Sequence, residues 1–220
     1  MDSSVELIAL VRHGRSIAND DPGVYQVMPD HVIPLTRPDD DPEARRAGAQ
    51  LAALGLDPDG VCAWRSPYLR CVQTEALVMG RALGDRFADV RRRDSFLLRE
   101  QEFGDWDGLD DAGMAALDPV RFARRTRLSD HLGRFYFRYP GGESRADVVQ
   151  RLAIFLGKLQ RSHYRQHVVF LHGVTQRAFR MAWFNRSVEW FEEEPNPANA
   201  SVLVIERGPD GAWADRYLPT

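Results

Sequence analysis

Cysteine and lysine are nearly absent from this chain. Two cysteines, Cys62 and Cys71, occur in 220 residues. That excludes a disulfide scaffold, and their spacing is not a zinc pattern, so core packing is the role left for them. Lys158 is the one lysine; the rest of the basic side is arginine. Arginine suits forked contacts to phosphate, although a coding bias toward arginine accounts for most of these residues. Long hydrophobic runs are missing too. The apolar stretch at residues 7–11 is far too short for a leader or a membrane span, so a cytoplasmic protein without a membrane partner is expected. Charge of one sign is not in excess. With 29 basic and 32 acidic residues and a net charge of −3, nucleic acid and anionic membrane are disfavoured as global partners. There is no repeat, low-complexity tract or linker. The length and the 44% hydrophobic content fit a single domain over residues 1–220 with a core of its own.

Two short apolar runs each end in a His-Gly pair. One leads into Arg12-His13-Gly14, the other into Leu171-His172-Gly173. A buried strand that delivers a histidine and then turns on glycine places an imidazole at the carboxyl edge of a sheet, where α/β proteins bind ligands. Two such strands could bring His13 and His172 together, and the arginine before His13 points to an anion, phosphate first. Helical spacing recurs at residues 43–54, 67–83, 118–131, 144–160, 175–184 and 188–194. Strand patterns recur at 5–11, 61–64, 87–90 and 168–171, with a hairpin over 202–217. Residues 19–41, rich in Asp, Pro and Gly, read as a long loop. Ser144 and Asp147 resemble a capping box. Alternating strands and helices predict a three-layer αβα sandwich with a largely parallel sheet and an inserted helical lid near residues 109–139.

Four motifs carry the chemistry. They are Arg12-His13-Gly14-Arg15-Ser16-Ile17-Ala18-Asn19, then Ser66-Pro67-Tyr68-Leu69-Arg70-Cys71-Val72-Gln73-Thr74-Glu75. Next come Leu98-Arg99-Glu100-Gln101-Glu102-Phe103-Gly104-Asp105-Trp106-Asp107-Gly108 and His172-Gly173-Val174-Thr175-Gln176-Arg177. In this order the chain resembles the histidine phosphatase superfamily, which holds cofactor-dependent phosphoglycerate mutases and many phosphatases. The resemblance implies that His13 is phosphorylated and that Arg12, Asn19, Arg70 and Gly173 hold the phosphoryl group. It also implies that Glu100 is the proton donor and that His172 completes the catalytic set. Glu102 is the competing carboxylate. Asp107 stands where relatives often have glutamate and is given no catalytic role. Arg177 is read as structural. The segments around Pro29-Asp30-His31 and Tyr139-Pro140-Gly141-Gly142-Glu143 resemble a phosphatase-type subgroup.

Such chemistry is mostly positioning and charge neutralisation. A neutral His13 would attack phosphorus while arginines hold the oxygens, with a backbone carbonyl expected to accept its other N–H. Neither metal nor cofactor is called for, and a small phosphorylated compound is the expected partner. Residues 118–138 interleave Arg121, Arg124, Arg125, Arg127, Arg134 and Arg138 with Phe122, Phe135, Tyr136 and Phe137. This stretch reads either as a specificity lid for a second anionic group or ring, or as a solvated helix with aromatics beneath it. The leading function is a metal-independent phosphomonoesterase. The alternatives are a phosphoglycerate mutase-type phosphotransferase and a silent phosphate-binding protein. A metal hydrolase using His163 and His167 is the remotest, since no glutamate lies between them. The acidic run Glu192-Glu193-Glu194 reads as a solvated helix end.

Overall fold

The computed structural model describes residues 5–219, without the side chains of residues 131 and 132. Its centre is a six-stranded sheet of β1 (Leu7–Arg12), β2 (Val61–Arg65), β3 (Arg91–Asp94), β4 (Gln166–Leu171), β5 (Val202–Arg207) and β6 (Trp213–Tyr217). Across the sheet the order is β3-β2-β4-β1-β5-β6. The first four strands in that order are mutually parallel, and β5 and β6 join antiparallel. Among the described residues eight α-helices accompany them: α1 (Ile17–Asp20), α2 (Pro42–Ala53), α3 (Leu69–Leu83), α4 (Asp111–Leu117), α5 (Pro119–Leu132), α6 (Arg145–Gln160), α7 (Gly173–Phe184) and α8 (Val188–Glu193).

The layers follow from strand alternation. Successive side chains point to opposite faces of a sheet, and a sheet covered on both faces needs apolar residues at every position. Ile8 and Leu10 of β1, with Val169 and Leu171 of β4, pack against Leu152 and Phe155 of α6 and Phe179 of α7. Ala9 and Val11, with Val168 and Phe170, pack on the other side against Ala47 and Leu51 of α2 and Val78 and Met79 of α3. This is the expected αβα sandwich. Helix starts are set by local chemistry. Asp41 accepts from the amides of Glu43 and Ala44 ahead of α2, whose first residue is Pro42. Ser144 and Asp147 form the reciprocal capping box of α6.

Helices α4 and α5 lie between β3 and β4 in the chain. They share a small apolar cluster of Trp106, Met114 and Phe137, with Phe122, Leu128 and Tyr139 packed against it.

Two expectations are corrected. Residues 87–90 are not a strand: they fall largely in a 3₁₀ turn over Gly84–Asp89, and the edge strand follows it as β3. All four β3 residues, Arg91-Arg92-Arg93-Asp94, are exposed. An edge strand carrying charge on both faces shows no alternation to read, and that charge discourages edge-to-edge pairing. The acidic run is not simply solvated either, because Glu192 pairs with Arg145 and Glu194 with the buried Arg180.

Candidate active site

The site forms where three neighbouring parallel strands end. Arg12 lies opposite Leu171 in the β1–β4 register, so His13 and His172 leave the sheet side by side. The His13 amide donates to the Leu171 carbonyl at 2.9 Å, and the two imidazole centroids are 5.1 Å apart. On the far side of β4, Ser66 leaves β2 with its amide on the Phe170 carbonyl. Its hydroxyl is 2.9 Å from His172 Nε2.

His13 is buried, and its Nδ1 is 2.7 Å from the Gly14 carbonyl oxygen. A carbonyl only accepts, so Nδ1 carries the proton and Nε2 keeps its lone pair. This is the carbonyl contact anticipated from sequence. Burial, followed by the charges of Arg70 and Arg12, holds His13 well below the usual imidazole range; the Gly14 contact opposes them. His172 is depressed in the same way by burial, Arg70, His13, Arg151 and Arg12. With Nε2 of His172 taken by Ser66, its Nδ1 is buried without a hydrogen-bond partner.

The arginines have the same character. Arg70 is 1% exposed. Its Nη1 donates to the Asp30 carbonyl at 2.8 Å and carboxylate at 2.6 Å, and its Nη2 reaches the other carboxylate oxygen at 3.3 Å. Its Nε is buried and unpartnered. Arg12 donates through Nη1 to the Pro197 carbonyl, and its Nε is likewise buried without a partner. A Cβ on Gly173 would lie 3.6 Å from that Nε and 3.3 Å from Asn196 Oδ1, so glycine keeps the approach to Arg12 open. Three buried nitrogens able to donate, on His172, Arg12 and Arg70, are therefore left without a partner in the surroundings of an imidazole with a free lone pair.

Glu100 caps α7. Its Oε1 accepts from the amides of Gln101 and Thr175 and from the Thr175 hydroxyl, and its Oε2 from the Val174 amide. The rival Glu102 is paired with Arg99 and is half exposed. Asn19 closes the turn of α1. Its side-chain oxygen accepts from the Ser16 amide and hydroxyl and from Asn199 Nδ2, each at 3.1 Å, so only its amide nitrogen is left to face a ligand. Arg177 packs over the Phe191 ring and donates to the Phe191 and Glu194 carbonyls, a structural place. His167 sits in β4 with its Nδ1 accepting from Trp64 Nε1 at 3.1 Å. Among the described residues no group of His, Cys, Asp or Glu is arranged to hold a metal.

Several residues here carried no site assignment from the sequence. Asp30 clamps Arg70, and Ser66 orients His172. Glu143, buried, accepts from Arg99 and Arg151, while Arg151 also donates to the Glu100 carbonyl at 3.0 Å. Residue type gave no local signal for these, because each acts on a partner distant in the chain. Gln73 and Thr74 of the second motif are scaffold: Gln73 accepts from the Leu35 amide and Thr74 from the Gly14 amide.

A sequence profile described as the histidine phosphatase superfamily (branch 1) matches residues 8–218, and the chain belongs to that superfamily. It is 36% identical to the phosphoglycerate mutase-like protein AT74 of Arabidopsis thaliana, over 94% of this chain and 66% of that protein. It is also 36% identical to the broad-range acid phosphatase DET1 of Saccharomyces cerevisiae, over 56% of this chain and 36% of DET1. The chain thus spans about two thirds of the first relative's length. Its fold is similar to that of a mycobacterial glucosyl-3-phosphoglycerate phosphatase solved with VO3. The TM-score there is 0.72 at 22% identity, covering 97% of this chain and 98% of that one.

Proposed function

We propose that the protein is a metal-independent phosphomonoesterase that works through a phosphohistidine on His13. The observation that carries this reading is the neutral, correctly tautomerised His13 beside the unpartnered His172 Nδ1, Arg12 Nε and Arg70 Nε. In the first step His13 Nε2 forms a bond to phosphorus and the ester P–O bond breaks. The leaving oxygen takes its proton from Glu100. In the second step Glu100 takes a proton from water, the water oxygen bonds to phosphorus, and the N–P bond breaks, returning neutral His13 and free phosphate. Arg12, Arg70 and His172 hold the equatorial oxygens through both steps, with the Asn19 amide nitrogen and the approach past Gly173 completing the cradle. Glu100 must hold a proton while His13 lacks one, so the rate profile against pH is bell-shaped.

Helices α4 and α5 are the lid. Arg121, Arg124 and Arg138 line a cavity of about 430 Å³ behind Tyr139, where a distal part of a larger substrate could rest.

The test is phosphate release from a panel of phosphomonoesters with a chelator present, by wild type and His13→Ala. Release lost in His13→Ala supports the proposal. Release that needs a divalent ion, or persists in the variant, overturns it. Conversion of 3-phosphoglycerate to its isomer without phosphate release would instead make the protein a mutase, the reading that the name of AT74 keeps alive.

A further inference from the structure

Beside Glu100 lies a cavity of about 230 Å³ whose walls include Tyr25, Asp30, Glu100, Trp106, Asp107 and Tyr139, with no lysine or arginine among its lining residues. A neighbouring hollow shares Asp30 and Asp107 and adds Glu102, again without arginine or lysine. The carboxylates are not equivalent. Asp30 is neutralised by Arg70. Glu100 is held by the first amides of α7. Asp107 has no ion-pair partner among the described residues; its carboxylate meets the Gly108 amide. In the phosphatase reading Arg12 and Arg70 are engaged by the phosphoryl oxygens. Arg121, Arg124 and Arg138 line a different cavity, which shares only Tyr139 with this one. Apart from Glu100 itself, which is held by amides and not by a cation, the part of a substrate that departs there therefore meets aromatic rings and one carboxylate lacking a counter-ion.

Resting on that reading, we propose that this cavity is the leaving-group subsite and that Asp107 makes it a charge filter. Short phosphomonoesters are ranked with an ammonium-bearing leaving group first, a neutral polyol second and a carboxylate-bearing one last. Like charge held close in a half-buried site repels, and an ammonium group gains both the carboxylate and the ring faces. The same setting would reject a phosphoglycerate, the substrate a mutase needs. Burial and then Asp30 raise Asp107 to about 6, with Glu100 adding to the rise and Arg70 and the Gly108 amide opposing. The filter thus acts at neutral pH and weakens in acid. The titratable or charged groups facing it are Asp30, Glu100, Tyr25, Tyr139 and Arg70, with Glu102, His31 and Tyr68 in the adjoining hollow.

The test compares kcat/KM for phosphoethanolamine, glycerol 3-phosphate and 3-phosphoglycerate in wild type, Asp107→Asn and Asp107→Glu. At about pH 7.5, wild type should favour the ammonium ester over the glycerate ester by about tenfold or more, with the glycerol ester between. Asp107→Asn should bring the three within about threefold of one another, while Asp107→Glu keeps the order. A residue with a merely structural role would lower all three together and leave the order intact. Should Asp107→Asn fail to fold, the wild-type ratio at about pH 5 decides: it should shrink, since the carboxyl is then protonated. Hydrolysis without charge order, or an order that survives Asp107→Asn or persists in acid, overturns the filter and leaves the phosphatase reading standing. No hydrolysis of these three esters by protein that still releases phosphate from an aryl phosphate overturns the filter alone; no release from any member of the wider panel by folded protein overturns both.

Discussion

At position 70 a lysine would keep the charge and lose the fork. Arg70 spends both Nη atoms on Asp30 and keeps Nε for the site, a division that needs planar, multiply donating geometry. Arg70→Lys should therefore lower kcat/KM by about 100-fold or more, because one flexible ammonium cannot serve Asp30 and a phosphoryl oxygen together. Steady-state kinetics on a chromogenic aryl phosphate would measure it. A loss under about threefold would mean that charge alone suffices at this position. His13 shows how far sequence reading reaches at this scale. Its place at the sheet edge was legible because the apolar run, the histidine and the glycine that turns the chain are adjacent in sequence. The Asp30–Arg70 clamp was not legible, since its partners lie on separate segments and an Asp-Pro-rich loop gives no sign of which carboxylate turns inward.

The helices and strands at three of the four motifs were readable because each is a local strand–turn–helix unit, with its apolar period and punctuation close together; the third motif, residues 98–108, is loop and 3₁₀ turn. Where an element is defined by what it packs against, the reading failed. The edge strand β3 was displaced, since its arginines face solvent and Phe87 and Val90 before it supply the apolar contacts. The helix α4 was missed because it is short and draws its order from the cluster around Trp106. That cluster depends on the crossing of residues 102–105 with residues 140–143, stitched by Asp105 N to the Pro140 carbonyl and Glu143 N to the Glu102 carbonyl. Gly104 sits at the crossing with φ of 59°, and a Cβ there would lie 2.0 Å from the Pro140 oxygen. Gly80, in the last turn of α3, would meet nothing within 4 Å. The two should respond oppositely to one methyl group. Gly80→Ala should stabilise by roughly 0.5–1 kcal/mol through helix propensity. Gly104→Ala should destabilise by about 3 kcal/mol from the left-handed backbone and the clash together. Chemical denaturation of both would check this, and equal effects would refute the close crossing.

For the molecule as a whole, the buried histidines tie stability to pH. His167 is fully buried, and burial, with a smaller contribution from Arg93 and opposed by the Tyr164 backbone, lowers it to about 4. In the unfolded chain it titrates near the ordinary value of about 6.5. Between these values the unfolded state binds a proton that the folded state refuses, so stability is lost as pH falls through this window. The whole window corresponds to roughly 3 kcal/mol for His167. His13 and His172 act in the same direction. Asp107 opposes them, because its raised folded value lets the native protein take up a proton below about 6. A wild-type melting curve thus mixes contributions of both signs, and the difference from a variant isolates one. In His167→Gln the amide oxygen can still accept from Trp64 Nε1, and the titrating ring is gone. Its melting temperature should lie below wild type near pH 7 and converge on it, or cross it, by about pH 4.5, the gap closing by several degrees. A gap that stays constant across this range would mean that His167 does not titrate differently in the folded protein. The coupling of the β2–β4 core to pH would then have to be sought in the active-site pair instead.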